Sequence, residues 1–365
     1  MAMRALSYLA KVFPPPRFLT LPSVGIDISD SSLKYLQLRM QGRYLAPLRW
    51  GTLPLPPGAV THGNITNMAA LVAVLKKMRA ACKTPYARVA LPEERAYLFE
   101  TTLAHDAQSA DVRSVLEARL EENVPLPPQD ALFDYDAIAT ETGMRLAVAV
   151  YARETVYSYA DAFSGAGILP LSFEVEVSAT ARAVVPRERD GVSMVLDIGG
   201  ANTGLGIVEG GVLRYASTVD IGGSNFTEAL RRQFGGRGSA ALVALKNEQG
   251  LLASAEKDEV YQTLLPPVAA LRDEITKRLH YWNTYGGESP PRTIEKILLC
   301  GGSATLAGLP EYLGETLGID TERADVWSNV PLAHGDIPPI PRGRSYAYAT
   351  AIGLALRDTM EYARV

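Results

Sequence analysis

The sequence predicts a duplicated α/β fold, with two similar domains facing each other across a cleft and a small α/β subdomain inserted in the first. Three observations predict it. The stretch MVLDIGGANTGLGIVEGGVLRYASTVDIGG, 194–223, reads as strand, small polar tip, strand, Gly210-Gly211 turn and strand. Sliding by 170 residues lays Asp27 on Asp197 and Ile28 on Ile198, and the strand–tip–strand pattern returns. Between the two copies, residues 104–169 change to a helix–strand–strand–helix order.

Composition bounds the rest. The 365 residues are enough for two core-forming domains, and 47% of them are hydrophobic. A net charge of −4 gives no general attraction to nucleic acid. Two cysteines, Cys82 and Cys300, exclude a disulfide framework and suit a reducing cytosol. His62, His105, His280 and His334 have no metal-ligand spacing. No apolar run reaches 18 residues, so no membrane span is expected. The first 20 residues read as a loose tail; a short amphipathic helix stopped at Pro14-Pro15-Pro16, in weak contact with a membrane surface, is the sharper alternative.

Taken in order, 24–27 is a strand, Ser29-Asp30-Ser31-Ser32 a tip, 33–40 a strand and 43–50 a third strand. Residues 67–82 carry Leu71, Val72, Leu75 and Met78 at helical spacing. Short strands follow at 88–91 and 96–103. The insert supplies a helix at 109–123, strands after Pro128 and at 146–151, and a helix at 154–163. A strand at 168–175 and a small-residue helix at 178–185 lead to the second copy. After it come helices at 226–234 and 237–250, and a long helix starting near Pro267 with Leu271, Ile275, Leu279 and Trp282 in one stripe. The chain closes with a strand at 294–299, a Gly301-Gly302-Ser303 tract, a helix at 309–317, a proline-rich loop at 336–344 and a helix at 346–357. The expected boundaries are a tail at 1–23, a first domain at 24–190, a second at 191–344, and a terminal helix at 345–365 returning to the first domain.

The tips are too small-sided to fill a core. They offer carboxylates, hydroxyls and backbone N–H groups, a surface that approaches a polyphosphate and its metal closely. An ordinary glycine hairpin is the bland alternative for either tip alone.

Five stretches stand in fixed order: GIDISDSSLKYLQL, EVEVSATARA, VLDIGGANTGLGIV, KILLCGGSATLAGLPEYL and YAYATAIGLAL. That order resembles the actin-like, ribonuclease H-like ATPase superfamily. Within it, the GIDI…SSLK hairpin and the insert passage LEENVPLPPQDALFDYD resemble the PilM family of type IV pilus assembly proteins. The resemblance spans roughly residues 24 to 360. FtsA uses the same insertion position but adds a C-terminal amphipathic membrane helix. The ending RDTMEYARV argues against that reading.

The resemblance implies ATP and Mg²⁺ as cofactors. Asp27 and Asp197 would orient the metal. Ser31, Ser32 and Lys34 would meet phosphates from one side, and Gly199, Gly200 and Thr203 from the other. Gly301, Gly302 and Ser303 would carry the nucleoside. Glu176 stands where relatives place the carboxylate that positions attacking water; a solvated or helix-capping carboxylate near a helix start is the alternative. Glu274 and Lys277 would contact ribose or adenine, or form a solvated helix face. Ser29 replaces a usual glycine, Asp30 adds a carboxylate beside the phosphates, and Asn202 replaces a hydroxyl residue. These departures point to a nucleotide grip, at most a weak ATPase.

The implied role is a cytoplasmic scaffold, peripheral to the inner membrane. It would bind the cytoplasmic N-terminal peptide of a PilN-like membrane protein, beside other platform proteins and the pilus motor ATPases. The peptide is expected between the first core and the insert, near the helix at 112–120 and the neighbouring strands. A small-molecule kinase of the superfamily and a type II secretion platform component are the competing readings.

Overall fold

The computed structural model describes residues 21–42, 44–104, 109–140, 143–187, 191–252, 258–285 and 293–361. The expected tail lies outside these except for 21–23, as do Arg43 and the final four residues. The chain opens with β1 (Val24–Ile28), β2 (Ser32–Gln41) and β3 (Tyr44–Pro54). A two-strand hairpin follows, β4 (Val60–Thr61) with β5 (Asn64–Ile65), then α1 (Met68–Cys82) and β6 (Tyr86–Leu91). Asn67 caps α1 by accepting from Ala70 N–H at 3.0 Å, and Lys83 ends it in a left-handed conformation, φ 57°. Leu71, Val74, Leu75, Met78 and Cys82 bury one stripe of it.

The chain then leaves this sheet for β7 (Ala96–Ala104), α2 (Ser109–Asn123), β8 (Ala131–Thr140) and β9 (Gly143–Ala152). It returns through α3 (Arg153–Gly165), β10 (Leu169–Val175) and α4 (Glu176–Val184). Strands β7, β9 and β8 form their own antiparallel sheet. Leu146, Val148 and Val150 of β9 pack against Val112, Leu116 and Leu120 of α2. The separate sheet therefore begins at Ala96 rather than 104. The helix α3, counted with the insert at sequence level, buries Tyr159 and Phe163 in the first domain's core beside Ile26 and Leu71. Its apolar stripe has the right period for either place, and only packing decides between them.

The second half comprises β11 (Val192–Ile198), β12 (Thr203–Glu209), β13 (Val212–Val219), α5 (Gly223–Gln233), α6 (Ser239–Glu248), α7 (Glu259–Tyr285), β14 (Ile294–Cys300), α8 (Leu309–Leu317) and β15 (Asp320–Arg323). The short α9 (Arg342–Ser345) and then α10 (Ala349–Glu361) close the chain. α9 ends the stretch expected to be all loop.

The two large sheets have one topology. The first runs β10-β6-β1-β2-β3 and the second β15-β14-β11-β12-β13. In each, a central strand pairs antiparallel with its hairpin partner and parallel with a crossover strand. The duplication read from the two tips is thus a duplication of whole sheets.

Helix α7 departs from expectation. It starts at Glu259 and carries Pro266 and Pro267 inside it. Proline removes a backbone donor and crowds the preceding turn. Pro266 is exposed, and buried Val260 and Leu264 before the pair and Val268 and Leu271 after it hold the helix to the core.

α10 lies across the first sheet. A Cβ on Gly25 would sit 2.2 Å from the Ala351 carbonyl, so β1 and α10 touch backbone to backbone. Glu174, at the end of β10, accepts from Arg357 of α10 at 3.1 Å and from Arg182 of α4. This buried carboxylate ties the two connecting helices to one strand end.

Candidate nucleotide site

The strand ends of the two halves meet at one cluster. Asp27 closes β1 and is 3% exposed. It stands opposite Lys34 in the β1–β2 ladder, and its Oδ2 accepts from Lys34 Nζ at 2.9 Å. Its Oδ1 is buried with no hydrogen-bond partner among the described residues. Burial alone would push the Lys34 ammonium down, but Asp27, Asp197 and Glu176 together raise it. One lysine thus holds its charge within a group of carboxylates.

Asp197 closes β11, the equivalent strand of the second half. Burial, and then the Asp27 charge, push its carboxyl up to about 6, against the pull of Lys34 and of Thr350 and Thr180. Thr350 donates to Asp197 Oδ2 at 3.4 Å, and Thr180 and Thr350 share a hydrogen bond of 2.8 Å. The two connecting helices therefore reach the cleft through one hydroxyl pair. Gly301, at φ +87°, allows this packing: a Cβ there would lie 2.4 Å from Asp197 Oδ1.

Glu176 is the first residue of α4, which starts two residues earlier than expected. No side chain caps that helix, so the capping alternative is set aside. Its carboxyl is raised well above the ordinary range by burial, then by Glu93, Asp27 and Asp197. Glu93 is the member sequence reasoning missed. It sits on a single turn, Glu93–Arg95, between β6 and β7. Burial and then Asp197 push it up to about 8. Its Oε1 lies 2.1 Å from where a Cβ on Gly204 would be, so it covers the second hairpin. Two adjacent glutamates after a proline look like a surface turn, and nothing local marks one of them as buried.

The tips are closed turns. Ser29 N–H and Oγ–H both donate to the Ser32 carbonyl, at 2.9 and 3.1 Å, while Ser31 is exposed at the apex. The two unusual residues of the first tip have structural partners: Ser29 holds the turn, and Asp30 Oδ2 accepts from His62 N–H at 3.1 Å. In the second tip Gly199 N–H donates to the Asn202 carbonyl, and Gly200 is open, with no atom within 4 Å of where a Cβ would sit. Asn202 donates to Glu94 Oε2 at 3.0 Å, across to the first half.

Three expectations change. Thr203 is fully buried and donates its hydroxyl to the Ile221 carbonyl at 2.6 Å, so it braces the hairpin rather than a phosphate. Ser303 is buried and donates to the Gly199 carbonyl at 3.0 Å, tying the nucleoside tract to the second tip. Glu274 and Lys277 pair with each other at 2.5 Å, and Glu274 also binds Arg278, which reaches Ser217. They form a solvated face of α7. The helix beside the Gly301–Ser303 tract is α6: Asn247 Oδ1 accepts from Thr305 at 3.0 Å, and the Lys246 carbonyl accepts from Ala307 N–H. Lys246, buried and lowered by that burial, is a second residue the periodicity did not single out.

A model of the type IV pilus assembly protein PilM family matches residues 25–359. The chain belongs to the PilM family. A solved PilM–PilN type IV pilus biogenesis complex is similar over 94% of this chain and 99% of that one, at 24% identity and TM-score 0.75. The ethanolamine utilization protein EutJ from Carboxydothermus hydrogenoformans is similar at 15% identity, 94% and 90% coverage and TM-score 0.53. MreB5 of Spiroplasma citri bound to ADP is similar at 12% identity, 94% and 98% coverage and TM-score 0.54. These likenesses carry the fold, which is actin-like.

For a PilM-family protein, the fit of Mg²⁺ rests on the donors present. No group of three or more such ligands poised for a metal occurs among the described residues. Mg²⁺, however, prefers one or two carboxylates completed by water and phosphate oxygens. The orphaned Asp27 Oδ1, with Asp197 opposite, matches that need.

A second concavity, of about 660 Å³, lies between the insert and the two halves. Phe133, Tyr135 and Ala149 of the insert, Phe173 and Ala181 of the first half, and Leu213 of the second line it. The groove expected between the first core and the insert had two candidate walls, α2 and the strands beside it. The apolar face of α2 is consumed by the insert's own core, and the groove lies along β7, β8 and β9 instead. No helix among the described residues is long and apolar enough to cross a membrane.

Proposed function

We propose that this protein is a cytoplasmic, nucleotide-binding scaffold of the type IV pilus inner-membrane platform, and that it holds the cytoplasmic N-terminal peptide of a PilN-like membrane protein. The observation that carries the nucleotide part is the meeting of Asp27 and Asp197 at equivalent strand ends, with a buried carboxylate oxygen left without a partner. Exposed Ser31 and open Gly200 present the two tips to a polyphosphate, and exposed Gly302 leaves backbone bare for a nucleoside. Bound Mg²⁺ would supply charge neutralisation at the phosphates. Lys34 would stay charged beside it, held by Asp27. Glu176 would be the residue that orients a water, with its carboxyl raised by burial and then by Glu93, Asp27 and Asp197.

The peptide part is supported by the groove. It is part apolar and flanked by β8, which has a partner on one side only. An extended segment docks to such a surface by backbone pairing and side-chain pockets.

Two measurements test the reading. Asp197→Ala should weaken ATP–Mg²⁺ binding about tenfold or more by titration calorimetry, the loss expected for one charged contact. Unchanged affinity removes Asp197 from the site. Co-purification with the N-terminal peptide of a PilN-like protein should retain the peptide. Loss of the peptide both with and without ATP–Mg²⁺ refutes the partner assignment.

A further inference from the structure

The insert belongs to the first half by chain connectivity, but its ion pairs reach the second. Arg214 of β13 is 9% exposed. Its guanidinium binds Glu100 of β7, through Nη2 at 2.6 Å and through Nε, and also binds Glu209 at the end of β12. Arg145 of β9 reaches the same Glu209 at 3.6 Å. The guanidinium also lies 5.9 Å from the Trp282 ring centroid. Nearer the cleft, Glu94 takes a hydrogen bond from Asn202 of the second tip. The segment running from Glu94 into β7 is therefore gripped at two points by the second half. The segment is also tied to the first half: Arg95 donates through Nε and Nη2 to the His62 carbonyl at 3.0 and 2.9 Å, and Tyr151 Oη donates to the Leu91 carbonyl at 3.2 Å.

The groove lies on this seam. One wall is insert, one is Phe173, Val175 and Ala181 of the first half, and the third is Val208, Leu213 and Arg214 of the second. Strand β12 starts at the second tip, at Thr203, and ends at Glu209 beside Arg214. It is paired on both edges, by β11 and β13, so it moves as one piece. Its length, about 20 Å for seven residues, spans from the nucleotide tip to the groove.

We propose that Arg214 is a positioning residue that couples the nucleotide cleft to the groove: it locks the insert to the second half, so that any rotation of the halves on nucleotide binding changes the width of the groove. This rests on the reading of the tips as a nucleotide site and of the groove as a peptide site. Coupling of two sites is reciprocal. ATP–Mg²⁺ shifts peptide affinity, and peptide shifts ATP–Mg²⁺ affinity by the same factor. Coupling between such sites is typically about fivefold or more.

The test uses the full chain with ATP–Mg²⁺ and a synthetic N-terminal peptide of a PilN-like protein. Peptide affinity is measured with and without nucleotide, for wild type, Arg214→Met and Glu100→Gln. The second variant keeps the shape of the site and leaves Arg214 paired with Glu209, so folding is preserved. The expected result is a shift of about fivefold or more in wild type and of less than about twofold in both variants. Equal peptide affinity with and without nucleotide in wild type overturns the coupling while leaving the peptide site intact. An undiminished shift in Glu100→Gln overturns the role of the clamp. Amide hydrogen exchange gives a readout that needs no peptide. ATP–Mg²⁺ should alter protection in 96–104 and 143–150 of wild type but not of Glu100→Gln. If ATP–Mg²⁺ alters exchange only around 27–34 and 197–204, the nucleotide site stands and the coupling is refuted. If it alters neither region, the nucleotide reading falls and the coupling with it.

Discussion

Gly353→Ala tests the packing that joins the two connecting helices. A Cβ at Gly353 would lie 1.7 Å from the Ala179 carbonyl oxygen and 2.5 Å from its carbon. Ordinary contact begins near 3.4 Å, so α10 and α4 would have to separate by about 1.7 Å. The obstacle is backbone on both sides, and no rotamer change relieves it. Overpacking of this kind costs about 1–3 kcal/mol, and a backbone clash belongs at the upper end. Alanine recovers about 1 kcal/mol of helix propensity. The net loss is about 2 kcal/mol, or about 4–8 °C in Tm at the scale of a 150–250-residue unit. The strain also reaches the site. Thr350, one turn earlier on α10, shares a hydrogen bond with Thr180 of α4 and donates to Asp197. ATP–Mg²⁺ affinity should therefore fall together with Tm. Gly200→Ala is the control, since nothing lies within 4 Å of its Cβ position, and its Tm should match wild type. Thermal unfolding followed by circular dichroism reads both variants. A Gly353→Ala protein as stable as wild type, or more so, would show that the helices are not in contact there.

Two further outcomes follow from the site. Glu93 is raised from 4.5 to about 8 in the folded protein, so between those values the folded state holds a proton that the unfolded state has lost. Stability of the nucleotide-free protein should then fall as pH rises from about 4.5 to about 8, and Glu93→Gln should flatten that decline in a Tm-versus-pH series; an unchanged slope would place Glu93 outside the buried cluster. Thr203→Val should cost about 1–2 kcal/mol, because the Ile221 carbonyl loses its 2.6 Å donor in a buried site. Nucleotide affinity measured on the same variant should stay within about twofold, and a larger loss would return Thr203 to the phosphates.

Much of this molecule is written in local pattern. Alternation and apolar runs mark the strands, small polar tips mark the turns between them, and Asn67 and Leu71 announce the start and the buried stripe of α1. The 170-residue echo between Asp27 and Asp197 reads directly as duplication, because the same backbone task selects the same small residues twice. Those signals depend on neighbours within a few residues. What they left out depends on distance through space. Pro266 and Pro267 should end a helix, and buried residues on both sides of them keep it going. Tyr159 and Phe163 have an apolar stripe that would serve the insert or the first core equally, and packing chose the core.

The carboxylates show the same division. Asp27 and Asp197 announce themselves by their places at strand ends, and Glu176 stands out only through the resemblance. Glu93 does not, for it becomes a member only when the hairpin of the other half folds over it. Thr203 and Ser303 have the right chemistry for a phosphate, but their protons go to backbone carbonyls that the sequence cannot show nearby. Sequence alone determined the order of the main elements, the repeated tips and the family, while β4, β5 and β15 went unread. Tertiary structure decided which charges share a pocket and where the insert meets the second half, because Arg214 and Glu100 stand 114 residues apart and meet only when the sheets are assembled.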